Sequence, residues 1–371
     1  MRLDGIFDRK LLKNIDLGIV ISTIMLILYG LVAISSATQI TSGGRTSPLK
    51  IQIIAFILGV VAVILILMID YKTFGDNYII IYGMNILLLV AVLIFGFSTK
   101  GSKSWIDFGP VNFQPSEVVK LGYILTFAKF LEKKKDKLDR VIDVLPLMLH
   151  LAVIIGLILL QPDFGTALVF IFITVFMLYA AGINHKIVAG AFGTFLVSLP
   201  IMWKLLKPYQ KNRILVFFNP ELDPMGAGYH VIQSETAIGS GQFLGKGLFK
   251  GTQNNLGFIP ERHTDFIFSV IGEELGLIGA IIIIFLFLWL ILRCIHIARV
   301  SKDDYGMLIC VGITSMFLFH ILENIGMTIG LMPVTGIPLP FISYGGSSLL
   351  TNMVAVALIL NVGMRRQVIR F

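Results

Sequence analysis

Charged residues are scarce in this chain of 371 residues. They occupy 14% of the positions, where a soluble domain carries about a quarter, so water is excluded as the solvent for most of its surface. Cysteine is nearly absent as well. Cys294 and Cys310 are the only two, both near one connection read as cytoplasmic, where thiols stay reduced, which excludes a disulfide framework and a cysteine metal cluster. The basic residues lack interleaved aromatics. The formal charge of +8 therefore does not describe a base-stacking surface, and no nucleic-acid partner is expected. No repeat of 20 to 50 residues and no low-complexity tract is visible.

What is present is apolar. The apolar class fills 56% of the sequence, mean hydropathy is +0.88, and runs long enough to cross a hydrocarbon core of ~30 Å recur from residue 17 to residue 363. The expected spans are 17 to 36, 51 to 69, 78 to 97, 114 to 131, 142 to 160, 164 to 182, 186 to 203, 266 to 292, 306 to 330 and 344 to 363. The first follows Arg9, Lys10 and Lys13 as a signal peptide would, but its length and the nine runs after it read as a retained helix. The expected fold is all-α: a polytopic integral membrane protein with about ten transmembrane helices, forming one domain over 1–371.

Charge sets the orientation. With the N-terminus inside, seventeen Lys and Arg fall on the cytoplasmic side, against Arg45, Lys50, Lys100 and Lys103 in the short outer loops. Both termini are then expected in the cytoplasm. Residues 204–265 fit no span, because they hold Lys204, Lys207, Lys211, Arg213, Lys246, Lys250 and Arg262 among many glycines. They read as a long extracellular loop between helices 7 and 8. Loops of that length are usually functional, so the chemistry is placed there. Within it, Tyr229 to Ile238 has the spacing of an interfacial helix with its apolar face in the headgroup region.

Ionisable residues inside apolar runs cost ~2.5 to 3.5 kcal/mol each at mid-membrane and ask for a partner or a function. Glu117 and Lys120 stand three apart on one helix face. They read either as a structural ion pair or with Lys120 facing a phosphate-bearing ligand. Asp163, after Gln161 and Pro162, suits a helix cap. Asp265 closes the long loop, where a carboxylate serves as N-cap or in the first turn. Glu273 and Glu274 lie further along that span and read as buried hydrogen-bonding groups facing a neighbouring helix. His320 and Glu323 form another pair three apart, a packing pair with too few companions for a metal. Trp105 reads as an interfacial belt residue. Gly239-Ser240-Gly241 and Gly245-Lys246-Gly247 follow no strand and lack the spacings of nucleotide motifs, so no nucleotide or organic cofactor is expected.

Five stretches together resemble the shape, elongation, division and sporulation family of RodA, FtsW and SpoVE. They are GSKSWIDFGPVNFQPSEVVKL at 101–121, QPDFGTA at 161–167, GYHVIQSETAIGSGQFLGKG at 228–247, LGFIPERHTDFIFSVIGEELG at 256–276 and MPVTGIPLPFISYGGSS at 332–348. The resemblance spans nearly the whole chain, and its short termini make it more similar to RodA than to FtsW. It implies a bacterial cytoplasmic-membrane enzyme that polymerises lipid II outside the membrane for elongation and rod shape. The 4-hydroxyl of the disaccharide attacks the anomeric carbon of a chain held as undecaprenyl diphosphate, and a β-1,4 link forms with inversion. By the same resemblance Asp265 matches the family's essential loop aspartate, Trp105, Glu117 and Lys120 its outer-cavity positions, and Asp163 its acid between helices 5 and 6. Arg262 stands where many relatives carry alanine or proline, and no family role is carried onto it. The implied partners are lipid II, the lipid-linked glycan, membrane lipid, a class B penicillin-binding protein and other elongation-complex proteins.

A sugar hydroxyl is a poor nucleophile, and a carboxylate at ~3 Å that takes its proton gains ~10² to 10⁴-fold. Asp265 is the expected base. Diphosphate leaves readily once its charge is neutralised, for which Mg²⁺ or Mn²⁺ is suited, with Lys120 and Arg213 adding fixed positive charge. Two other classes fit the same spans: a lipid II flippase, and a non-catalytic scaffold for the penicillin-binding protein.

Overall fold

The computed structural model describes residues 13–39, 48–99, 102–107, 112–205 and 208–366. Its helices, in chain order, begin with α1 (Leu17–Ala37), α2 (Pro48–Met68), the short α3 (Tyr71–Asp76) and α4 (Tyr78–Phe95). After a small sheet come α5 (Pro115–Glu132), α6 (Val141–Leu160), α7 (Phe164–Ala180), α8 (His185–Leu205), α9 (Pro208–Phe218), α10 (Ala227–Gly241) and α11 (Thr252–Asn255). The chain closes with α12 (Ile267–Arg299), α13 (Asp304–Thr328) and α14 (Gly346–Met364). Arg45 and Lys100 lie outside the described residues, as do the basic residues before Lys13 and after Arg366.

Each of the ten expected spans is met by one long helix. Their ends agree within three residues, except that α12 runs on to Arg299. Arg293 does not stop it because its guanidinium donates from Nε to Asp16 Oδ1 at 3.1 Å and pairs again with Oδ2 through Nη2. Asp16 in turn accepts from Ile19 N at 3.1 Å and caps α1. Seven of the ten helices are long and apolar enough to cross a membrane on those criteria alone. Among the others, α7 has 17 residues and α5 carries Glu117, Lys120, Lys129 and Glu132.

Burial runs opposite to a water-soluble bundle. Of the central windows of α13 and α14, 72% and 83% are buried, against 17% in α2 and α4. The apolar faces of α2 and α4 turn outward, as lipid permits, and the helices with polar residues pack inside. Helix α13 lies against α12, α7 and α5, and α14 against α2 and α13.

Two features depart from the expected scheme. Residues 97–113 contain a three-stranded antiparallel sheet, β1 (Phe97–Thr99), β2 (Ser102–Asp107) and β3 (Asn112–Phe113), in which Phe97 faces Trp105 and Ile106 faces Phe113. The long connection 204–265 carries helices α9, α10 and α11 of its own. Helix α10 covers the expected 229–238, but its buried stripe Val231, Ser234 and Ala237 packs against α12. Ser234 Oγ lies 2.6 Å from Ser269 Oγ and donates to Thr328 O at 2.6 Å. The buried stripe of α10 thus meets protein instead of headgroups.

Helix α12 is broken at Gly276 (φ 62°, ψ −161°). The following segment of the long connection fills the gap. Lys246 N and Gly247 N donate to Glu273 O and Glu274 O at 3.0 and 2.9 Å, and Leu277 N donates to Gln242 O at 2.9 Å. A Cβ on Gly276 would stand 2.4 Å from Gly245 N, so only glycine permits this approach. Opened helix groups within a membrane domain need such partners. Glu273 and Glu274 complete the joint: Glu274 makes the expected buried bond to a neighbouring helix, α1, and both also bind the long connection. Glu273 accepts from Lys246 Nζ (2.8 Å), Gln253 N (2.8 Å) and Asn254 N (3.0 Å). Glu274 accepts from Ser36 Oγ of α1 (2.7 Å) and Phe249 N (3.0 Å).

Candidate functional site

Asp265 occupies the turn just before α12, half-buried. The N-cap of α12 is Phe266, one residue after Asp265. The backbone before the helix is fixed by other elements. Three consecutive carbonyls are taken from elsewhere: His263 O by Tyr344 N at 2.8 Å, Thr264 O by Ser343 Oγ at 2.6 Å, and Asp265 O by Asn324 Nδ2 at 2.9 Å. The donors come from α13 and from the connection 329–345. Within that connection Gly336 has φ 79° and lies beside the carboxylate, its Cβ position 3.5 Å from Asp265 Oδ2. Gln52 of α2 holds its far end, donating to Ser343 O at 3.3 Å and accepting from Gly345 N at 3.1 Å.

The second cluster lies on α5 and α13. Lys120 Nζ donates to Glu117 Oε1 at 2.9 Å and meets His320 Nε2 at 3.1 Å. An ammonium has no lone pair, so the imidazole accepts at Nε2 and carries its proton on Nδ1. The Lys120 and Glu117 side chains are 3% and 5% exposed. Glu117 Oε2 and His320 Nδ1 are buried without a hydrogen-bond partner. Three residues further along α13, Glu323 Oε1 accepts from Thr335 Oγ1 at 2.8 Å. His320, Glu323 and Asn324 thus share one face of α13, at i, i+3 and i+4. The first holds Lys120, the second Thr335, and the third Asp265. His320 and Asn324 are ~6 Å apart along the axis.

Asp163 caps α7, accepting from Thr166 N at 3.1 Å, and its other oxygen accepts from Ser104 Oγ of β2 at 3.3 Å. The cap fixes the start of α7 near the Asp265 loop, because a Cβ on Gly165 would meet Thr335 at 3.3 Å. Trp105 is half-buried in β2, paired with Phe97. Arg213 sits in α9, and its side chain lies outside the described residues. Asn324, Thr335, Ser343 and Gln52 were not singled out in the sequence. The available signal was Asn324 in register with His320 and Glu323.

Among the described residues, no three His, Cys, Asp or Glu side chains converge in a way that could hold a metal ion. Glu117 is committed to Lys120 and Asp163 to its cap. Among the described residues, no protein cage for a divalent ion is formed.

Comparison with known proteins places this arrangement. A family model described as "Cell cycle protein", FTSW_RODA_SPOVE, matches residues 17–368. The peptidoglycan glycosyltransferase MrdB of Escherichia coli K12 is 35% identical over 356 residues, covering 94% of each chain. A probable peptidoglycan glycosyltransferase FtsW of Trichlorobacter lovleyi is 38% identical, over 95% of this chain and 93% of its own. Among solved structures, a chain from a peptidoglycan synthase complex, studied for the coordination of polymerization and crosslinking, superposes with TM-score 0.82 and 33% identity. That match covers 94% of this chain and 97% of the other. The rod shape determining protein RodA of Thermus thermophilus superposes with TM-score 0.71 and 28% identity, over 95% and 97%. Matched along nearly its whole length in sequence and in fold, the chain belongs to the FtsW, RodA and SpoVE family of membrane proteins.

Proposed function

We propose that this chain is a peptidoglycan glycosyltransferase that polymerises lipid II into β-1,4-linked glycan on the outer side of the cytoplasmic membrane, with both termini inside. The observation that carries the site assignment is Asp265: its backbone is pinned through three successive carbonyls, which holds its carboxylate in one place beside Gly336. That combination suits a general base, which must be held at ~3 Å from the hydroxyl it deprotonates. The acceptor 4-hydroxyl loses its proton to Asp265 as its oxygen bonds to the anomeric carbon, and the diphosphate departs with the electron pair. Inversion follows from attack opposite the leaving group.

Lys120 is buried and paired in this structure. A diphosphate that reaches Lys120 competes with Glu117 for its ammonium and gains fixed positive charge where negative charge develops. Arg213 is assigned the same role on sequence grounds alone. A divalent ion, Mg²⁺ or Mn²⁺, would arrive with the substrate and supply charge neutralisation to its diphosphate, since such ions need only one or two protein ligands beside substrate phosphates. Trp105 and Asp163 shape the neighbouring wall. An elongation role alongside a class B penicillin-binding protein is the favoured setting, supported by the likeness to RodA and to the synthase-complex chain.

The test is glycan formation from fluorescent lipid II by purified protein in detergent, together with a penicillin-binding protein whose own polymerase is inactive. Wild type is expected to make polymer and Asp265→Asn to lose at least about 10²-fold, at the low end of what such a base contributes. Polymer from Asp265→Asn at the wild-type rate would remove the base role. No polymer from wild type would favour the flippase or scaffold readings.

A further inference from the structure

Asn324 is fully buried in α13, a costly place for an amide unless its hydrogen bonds are made. Its Nδ2 donates to two backbone carbonyls, Asp265 O at 2.9 Å and Ile337 O at 2.8 Å. Turned over, the side chain would set its oxygen against both carbonyl oxygens, so the acceptors fix its orientation. The two carbonyls flank the Asp265 carboxylate. One is Asp265's own, and the other follows Gly336, whose Cβ position stands 3.5 Å from Asp265 Oδ2. Both Asn324 N–H groups are therefore spent on closing one clamp around that carboxylate, while Oδ1 is left without a partner.

We infer that Asn324 is the positioning residue for Asp265. It ties the turn before α12 and the wall at 336–337 to a single rigid point on α13, one turn from the residue that holds Lys120. Separation between the carboxylate and the ammonium is then set by one helix. This rests on the reading of Asp265 as the base. Without the clamp the carboxylate is still present but drifts relative to the bound hydroxyl. Misplacement by about 1 Å can cost 10²-fold in rate, and substrate binding is made elsewhere, so the loss belongs in kcat.

The experiment compares wild type, Asn324→Asp, Asn324→Ala and Asp265→Asn in the lipid II assay, with kcat and KM determined separately and folding followed by gel filtration and thermal melting. Asn324→Asp keeps the shape and removes the donors, whereas Asn324→Ala removes both. Each folded variant is expected to lose about 10- to 100-fold in kcat with KM within about threefold of wild type. Wild-type kcat in either folded variant, or a loss carried by KM, would overturn the inference. Failure of both variants to fold would also overturn it, by assigning Asn324 to the fold alone. A wild-type rate from Asp265→Asn would instead sink the base reading, which is a separate result.

Discussion

The two ends of the bundle use the same side chain for the same bond and differ in what that bond holds. Near the end of α14, Asn361 Nδ2 donates to Ile66 O and Ile69 O, both at 2.6 Å, and its Oδ1 accepts from Tyr71 N at 3.2 Å. This closes the corner between α2 and α3 as Asn324 closes the turn before α12. At the Asn361 end, the neighbouring aspartates are committed to caps and ion pairs. Asp16 caps α1 and pairs with Arg293, and Asp303 caps α13 and binds Tyr71 and Lys72. At the Asn324 end, the clamp takes the backbone of Asp265 itself. At the structural end the bond holds a helix corner, and at the working end it holds the residue assigned as the base.

The largest effect should come from the buried pair at the working end. Removing one partner of a buried ion pair costs about 3–5 kcal/mol because the other charge is stranded. Glu117→Leu leaves Lys120 with His320 alone, and Lys120→Met leaves Glu117 with neither oxygen paired. The double variant should recover much of the loss. Unfolding in detergent across the cycle measures this, and additive losses would show that the pair contributes nothing as a pair.

Much of this contrast was legible in the sequence, and the rest was not, for physical reasons. Spans such as 78–97, observed as Tyr78–Phe95, are bounded by caps and glycine and can be read from hydropathy. The Asp163 cap and the Glu117 and Lys120 pair follow from local spacing. The break at Gly276 does not, because it needs Gly245 thirty-one positions away and a loop whose amides replace those of the helix. Asn324 escaped notice because an amide carries no charge and its partners are carbonyls, which any residue supplies. The packing inside the connection 204–265 was not legible because its glycines mark close approach of backbones as well as flexibility. A Cβ on Gly241 would stand 2.0 Å from Gly272 O.

A matched substitution sharpens the comparison between the two asparagines. Asn361→Ala leaves the backbone groups at the α2–α3 corner without their donor, at a cost of about 1–3 kcal/mol for unsatisfied buried groups. Melting should fall while kcat of the folded fraction stays at the wild-type value. Asn324→Ala strips two buried carbonyls of their donor as well, so its melting should also fall, but its kcat should fall about 10- to 100-fold besides. If Asn361→Ala also lowered kcat tenfold with folding intact, the division between a structural end and a working end would not hold.

The smallest effect belongs to Asp303, whose partner Lys72 is 52% exposed and whose ion pair is accordingly worth about 0–1 kcal/mol. Burial pushes the Asp303 carboxyl up, but the Gly306 amide, the Tyr71 hydroxyl and Lys72 outweigh it and hold the group below the usual carboxylate value. The folded state therefore favours the charged form. Its contribution is complete above the unfolded pKa of about 3.9 and is lost as pH falls through the lower folded value. Asp303→Asn isolates the charge, because asparagine caps a helix about as well as aspartate. Wild type should be slightly more stable than Asp303→Asn at neutral pH, and their unfolding curves should converge below about pH 4. A gap that persisted at acid pH would assign the difference to packing at the α13 cap instead of to the carboxylate charge.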